Sequence, residues 1–139
     1  MEEFDPRNHS YAFRLTEKSC FALANNGICS LKLSSTDAQR IRKNERVDPK
    51  ASVMYCRELK DEIEDSDYLN KAFPIEIIKN NCEHHSFMNG QHRTCIAKQT
   101  GMKTLNVIYQ VADYQCPYCL GTHANVIIDD KELYKAGGN

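Results

Sequence analysis

Apolar residues recur along this chain with two periods. Over 53–65 they fall at Tyr55, Cys56, Leu59 and Ile63, close to the i, i+3/i+4, i+7 stripe of a helix whose other face is charged, and Pro49 precedes it. A second helix spans 91–100 and stops at Gly101. Ile28–Leu33 alternates apolar and polar residues as a half-buried strand does, which makes it the expected first strand. Ile75–Lys79 and His84–Met88 read as a hairpin turning at Asn80–Glu83, and Leu105–Val111 and Ala124–Ile128 as two further strands. Shorter helical stretches are expected at 17–24, capped by Thr16 and closed by Gly27, at 38–44 after the caps Ser34–Asp37, and at 131–136. Residues 1–10 have little apolar content and read as a loose arm. The fold class predicted is α/β (α+β): one domain over 1–139, with a small mixed sheet of about five strands and helices packed around it.

The strand, helix, strand run over 84–111 carries a topological expectation. If its two strands pair in parallel through a right-handed crossover, both end on the same edge of the sheet. The loop after Val111 then lies on the side of Gly90.

Hydrophobic residues make up 41% of the 139 and charged residues 27%, ordinary for a globular domain. The net charge of −1 lacks the basic surplus of an autonomous DNA binder. No apolar run reaches the 18 residues of a membrane span, and the acidic start is unlike a signal peptide. A cytoplasmic protein with no membrane partner is the expectation.

Chemistry concentrates at Asn89-Gly90-Gln91-His92-Arg93-Thr94. A strand, a glycine turn and a helix start leave backbone N–H groups and partial positive charge pointing outward, which suits a phosphate. Arg93 adds a bidentate fork, Gly90 leaves the backbone approachable, His92 can contact a phosphate or carry a proton, and the Thr94 hydroxyl can assist or neighbour Mg²⁺. The competing reading is a plain strand-to-helix turn with Arg93 paired to a surface carboxylate.

With the Ile96-Ala97-Lys98 helix and the strand Leu105–Tyr109 that follow, and with Arg57–Ile63 and Phe73–Ile78 upstream, this motif resembles the ParB N-terminal/sulfiredoxin superfamily over residues 28–111. The resemblance implies that a Gly-x-x-Arg loop holds the phosphates of CTP or ATP with Mg²⁺. It also implies an arginine lent from the segment after the first strand, for which Arg40, Arg42 and Arg46 are candidates. A hydrolase or switch is the leading role. A ParB-like nuclease or DNA-binding module and a small-molecule kinase with Glu58 or Glu62 as base are the alternatives. Where sulfiredoxins carry their reactive cysteine this chain has Gln91, which argues against sulfinic-acid reduction.

Seven cysteines remain. Cys116 and Cys119, in a Cys-x-x-Cys pair, together with His123 supply three of the four ligands of a structural Zn²⁺. The crossover expectation brings His92 near as the fourth and sends Cys82 to the opposite end. A glutaredoxin-like dithiol and two incidental loop cysteines are the other readings. His84 and His85 are adjacent on a strand, face opposite sides and make a poor metal pair. A zinc-supported interaction domain is a further functional alternative.

Overall fold

The sheet is built around β3 (Ile75–Lys79), whose alternate side chains Ile75 and Ile77 enter the core. Its neighbours are β4 (His85–Asn89), antiparallel across a tight turn, and β5 (Leu105–Val111), parallel. Outside β5 lies β1 (Glu2–Phe4), and outside β4 lie β2 (Tyr11–Arg14) and then β6 (Val126–Asp129). The order β1-β5-β3-β4-β2-β6 makes a mixed sheet. The computed structural model describes residues 1–25, 27–65, 68, 72–121 and 126–129. The expected helix at 131–136, the start of the last strand and His123 lie outside them.

One face of the sheet carries Tyr11, Phe13, Ile75, Ile77, Leu105 and Val107, packed with Cys95 and Ala97 of α4 (Gln91–Thr100). Tyr11, Phe13 and Phe87 stack in a row with ring centroids 5.4–5.7 Å apart. Three further helices, α1 (Phe21–Ala24), α2 (Ser35–Asn44) and α3 (Val53–Glu64), share a second core of Phe21, Ala38 and Val53. Ser34 caps α2 by accepting the Asp37 N–H, and Ser52 caps α3 by accepting that of Met54. On the opposite sheet face Ala12 packs with Cys116, Cys82 and Ile128.

Four expectations fail here. Ile28–Leu33 is no strand: Ser30–Lys32 is a 3₁₀ turn, and the Ser30 and Leu33 carbonyls both accept from the Arg57 guanidinium, at 2.9 and 2.8 Å, instead of from a neighbouring strand. Residues 1–10 are no loose arm, because Glu2–Phe4 pairs with Leu105–Val107 and Phe4 is buried. The helix expected at 17–24 forms only over Phe21–Ala24, since Thr16–Ser19 closes a turn in which the Thr16 N–H donates to the Ser19 hydroxyl.

The fourth concerns topology. β5 pairs in parallel with β3, not β4, so β4 and β5 run in opposite directions. The residues after Val111 therefore leave at the edge where the β3–β4 turn lies, away from Gly90.

Candidate metal centre and ligand cleft

That reversal brings together a cluster in which sequence reasoning placed only two members. Cys82 and His84 come from the β3–β4 turn, Cys116 and Cys119 from the segment after β5, where Pro117–Leu120 forms one helical turn, α5. The two stretches are tied by backbone bonds: Ala112 N–H donates to Lys79 O at 2.9 Å and Asn81 N–H to Tyr114 O at 3.0 Å. Within the turn Glu83 takes a left-handed φ of 71° and its N–H donates to Asn80 O, turning the chain back so that both Cys82 and His84 face the segment.

The four ligand atoms all lie within 4.8 Å of one another. His84 Nδ1 is 3.5 Å from Cys116 Sγ and 3.4 Å from Cys119 Sγ. Tetrahedral zinc with ordinary Zn–S and Zn–N lengths places such atoms about 3.6 Å apart. Cys116 N–H donates to Cys82 Sγ at 3.3 Å, a bond that favours the thiolate. Burial opposes ionisation of Cys82, but the Cys116 and His84 amides and the neighbouring thiols outweigh it and bring the thiol down to about 6. Desolvation and the Cys116 and Cys82 thiols push Cys119 up to about 11. One ligand is thus ready as thiolate at neutral pH, and a metal would displace the other protons. The cluster could hold a metal ion.

His92 takes no part. Its Nε2 donates to the Ser19 carbonyl at 2.8 Å and its ring packs edge-on against Tyr55. The expectation that Cys82 lies far from the Cys-x-x-Cys pair is likewise overturned, for the same topological reason. His84 and His85 do face opposite ways: His85 is buried against Tyr109, its Nε2 3.0 Å from the phenol oxygen, while His84 joins the cluster. A legible signal was present in Cys82-Glu83-His84, since a Cys-x-His pair in one turn and a Cys-x-x-Cys pair in another is the layout of a structural zinc site.

The Gly90 loop opens onto a cleft of about 680 Å³ between the sheet, α3 and the segment after β5. Asn89, Gly90, Gln91, His92 and Arg93 line it, as do Arg14, Lys50, Tyr55, Tyr68 and Tyr114. The side chains of the motif are largely engaged elsewhere. Asn89 donates to Pro74 O at 3.2 Å, and Arg93 Nη1 to Phe73 O at 2.6 Å. Gln91 grips the Arg14 backbone with both ends of its amide, accepting the N–H at 2.8 Å and donating to the carbonyl at 3.1 Å. Thr94 is fully buried with its hydroxyl on Gly90 O, so it is neither a phosphate helper nor an Mg²⁺ neighbour. Gly90 has φ +94°, and a Cβ there would meet Ile75 at 2.9 Å, so the core rather than a ligand demands the glycine.

Arg42 and Arg46 do not line the cleft among the described residues; both are exposed, Arg42 on α2 and Arg46 just beyond it. Arg14 and Lys50 stand there instead. Among the described lining residues there is no Asp or Glu, although the chain holds 19 of them. Glu58 and Glu62 are exposed on α3 outside this lining.

Comparisons with models of protein families, with curated proteins and with solved structures find no match to this chain. No helix among the described residues is long and apolar enough to cross a membrane.

Proposed function

We propose that this is a zinc-stabilised domain that binds a nucleoside triphosphate, CTP or ATP, in the cleft before α4. The observation that carries the ligand class is the charge of that cleft: Arg14, Lys50 and Arg93 line it and no described carboxylate does. In a partly enclosed site of lowered dielectric, unopposed cations raise the affinity for a polyanion. The outward N–H groups of the first turn of α4 add to this, and Tyr55, Tyr68 and Tyr114 give a planar base surfaces to pack on. The resemblance of Asn89–Arg93 and its flanks to the ParB/sulfiredoxin superfamily supports the same reading.

Mg²⁺ would arrive as the nucleotide complex, since the described lining offers no carboxylate to hold it. A base to activate water or a hydroxyl is also lacking there, and His92 has its Nε2 proton committed to Ser19. The role supported is therefore binding rather than acid–base catalysis. Cys82, His84, Cys116 and Cys119 would hold the zinc: three soft thiolates and an imidazole select it over hard cations and leave no open coordination position for chemistry.

Calorimetric titration of the zinc-loaded chain with CTP and ATP, each with Mg²⁺, tests the reading. Binding should weaken about 5- to 10-fold in Arg14→Ala and in Lys50→Ala, the scale of one exposed charge-assisted contact. Absence of heat with both nucleotides at millimolar concentration would overturn the ligand assignment. Elemental analysis finding no zinc would overturn the metal assignment separately.

A further inference from the structure

The metal centre and the cleft share a wall. Residues 112–121 run from the end of β5 past the cluster, and only Cys116 among them is buried. The side chains of Tyr114, Tyr118 and Leu120 are about half exposed. Among the described residues, besides the bond from Ala112 to Lys79, the segment is held to the body by the Asn81 N–H on Tyr114 O, by the Cys116 N–H on Cys82 Sγ, and by the contacts of the Cys116 and Cys119 sulfurs with His84 Nδ1. One buried thiol, two backbone bonds and three weak bonds to sulfur do not offset the entropy of ordering ten residues. Ligation of Cys116 and Cys119 to the same ion as Cys82 and His84 would do so, because it closes the segment onto a turn that is already ordered.

The same segment contributes Tyr114, Gln115, Pro117 and Leu120 to the cleft. They line it together with Arg14 on the sheet and Tyr55 on α3. Release of the segment would leave the cleft its cations and remove this wall.

We propose that the metal controls the cleft: the ion fixes Tyr114 as a contact for the ligand's planar base, and metal and ligand bind with positive cooperativity. This rests on the cleft's reading as a nucleotide site. Because linkage is reciprocal, the factor by which zinc tightens the nucleotide must equal the factor by which the nucleotide tightens zinc. The phosphates are held by parts the metal does not position, so inorganic triphosphate should respond less than ATP.

The test uses the full chain in zinc-loaded and chelator-stripped forms, titrated with ATP, CTP and inorganic triphosphate, and zinc affinity measured by competition with a chromophoric chelator with and without ATP. The expected result is at least ten-fold tighter ATP binding to the loaded form, with a matching rise in zinc affinity. Tyr114→Ala should retain one zinc per chain and bind ATP about as weakly as the stripped form. If the stripped chain loses its fold, the zinc-loaded variant set against the zinc-loaded parent still tests the contact of Tyr114 with the base, and the rise in zinc affinity with ATP tests the coupling. Equal ATP affinity of loaded and stripped protein, or of Tyr114→Ala and the parent, would overturn the coupling while leaving the nucleotide site standing. No nucleotide binding to any form would overturn the site itself, and the coupling with it.

Discussion

The two edges of the sheet use polar side chains in opposite ways. Where β4 ends, each polar side chain of the Asn89–Thr94 turn is spent on a backbone partner: Asn89 on Pro74, Gln91 on Arg14, His92 on Ser19, Arg93 on Phe73 and Thr94 on Gly90. Where β4 begins, His84 and the sulfurs of Cys82, Cys116 and Cys119 converge chiefly on one another. A motif whose groups are satisfied internally holds a shape and offers a ligand its remaining backbone and its charge. A cluster of ligand atoms turned inward on itself is chemistry waiting for an ion.

The contrast can be broken hardest at the metal edge. Cys116→Ser should abolish stoichiometric zinc and destabilise the chain by at least about 3 kcal/mol, on the order of 10 °C in melting temperature, because metal binding to the folded state is folding free energy. Chelation of the parent should give a shift of the same size; a melting temperature indifferent to both would mean that the cluster is not a metal site.

At the other edge Gly90→Ala should cost about 2–3 kcal/mol, combining a left-handed φ with a clash against Ile75, measurable by denaturant unfolding. Pairing it with Ile75→Ala, which removes the Cγ1 and Cγ2 that the new Cβ would meet, should not restore the φ component. A neutral outcome would mean that the turn can relax and that its glycine serves a ligand after all.

The smallest effect expected is that of pH on His92. Burial lowers its pKa from the ordinary 6.5, Lys50 adding to that and the bond to Ser19 opposing it. The unfolded chain therefore takes up a proton before the folded one does, so the stability this group contributes is full above pH 6.5 and declines as the pH falls from there toward the lower folded value. Zinc-loaded His92→Gln should lose less stability than the parent between pH 7.5 and pH 5.5; an equal or greater loss would mean that the imidazole is not protected.

Much of the fold was legible because its elements are locally consistent. The predicted spans 75–79, 91–100 and 105–111 match β3, α4 and β5, each set by its own periodicity and, for α4, by glycines at both ends. What local pattern could not carry was partnership. Ile28–Leu33 has a strand's alternation, but its carbonyls are met by Arg57, a residue 24 or more positions away. Glu2–Phe4 has no pattern of its own and becomes a strand because β5 offers an edge. The metal cluster was half legible for the same reason: the Cys116/Cys119 pair could be seen, but whether β5 lay beside β3 or β4 decided that Cys82 and His84 meet it, and a run of apolar residues does not record its neighbour.

The strand order has a further consequence, in time rather than space. β1 and β2 are made before the strands they join: among the described residues β1 pairs with Leu105–Val107, and β2 with His85 and the stretch Val126–Asp129. Tyr11 and Phe13, among the most deeply buried side chains, reach their sheet neighbours only after most of these residues have been made. The sheet therefore closes from the middle outward, with β3 and β4 as the local seed, and the long loops that must shut last make this a slow folder that exposes aromatic surface while it is being synthesised.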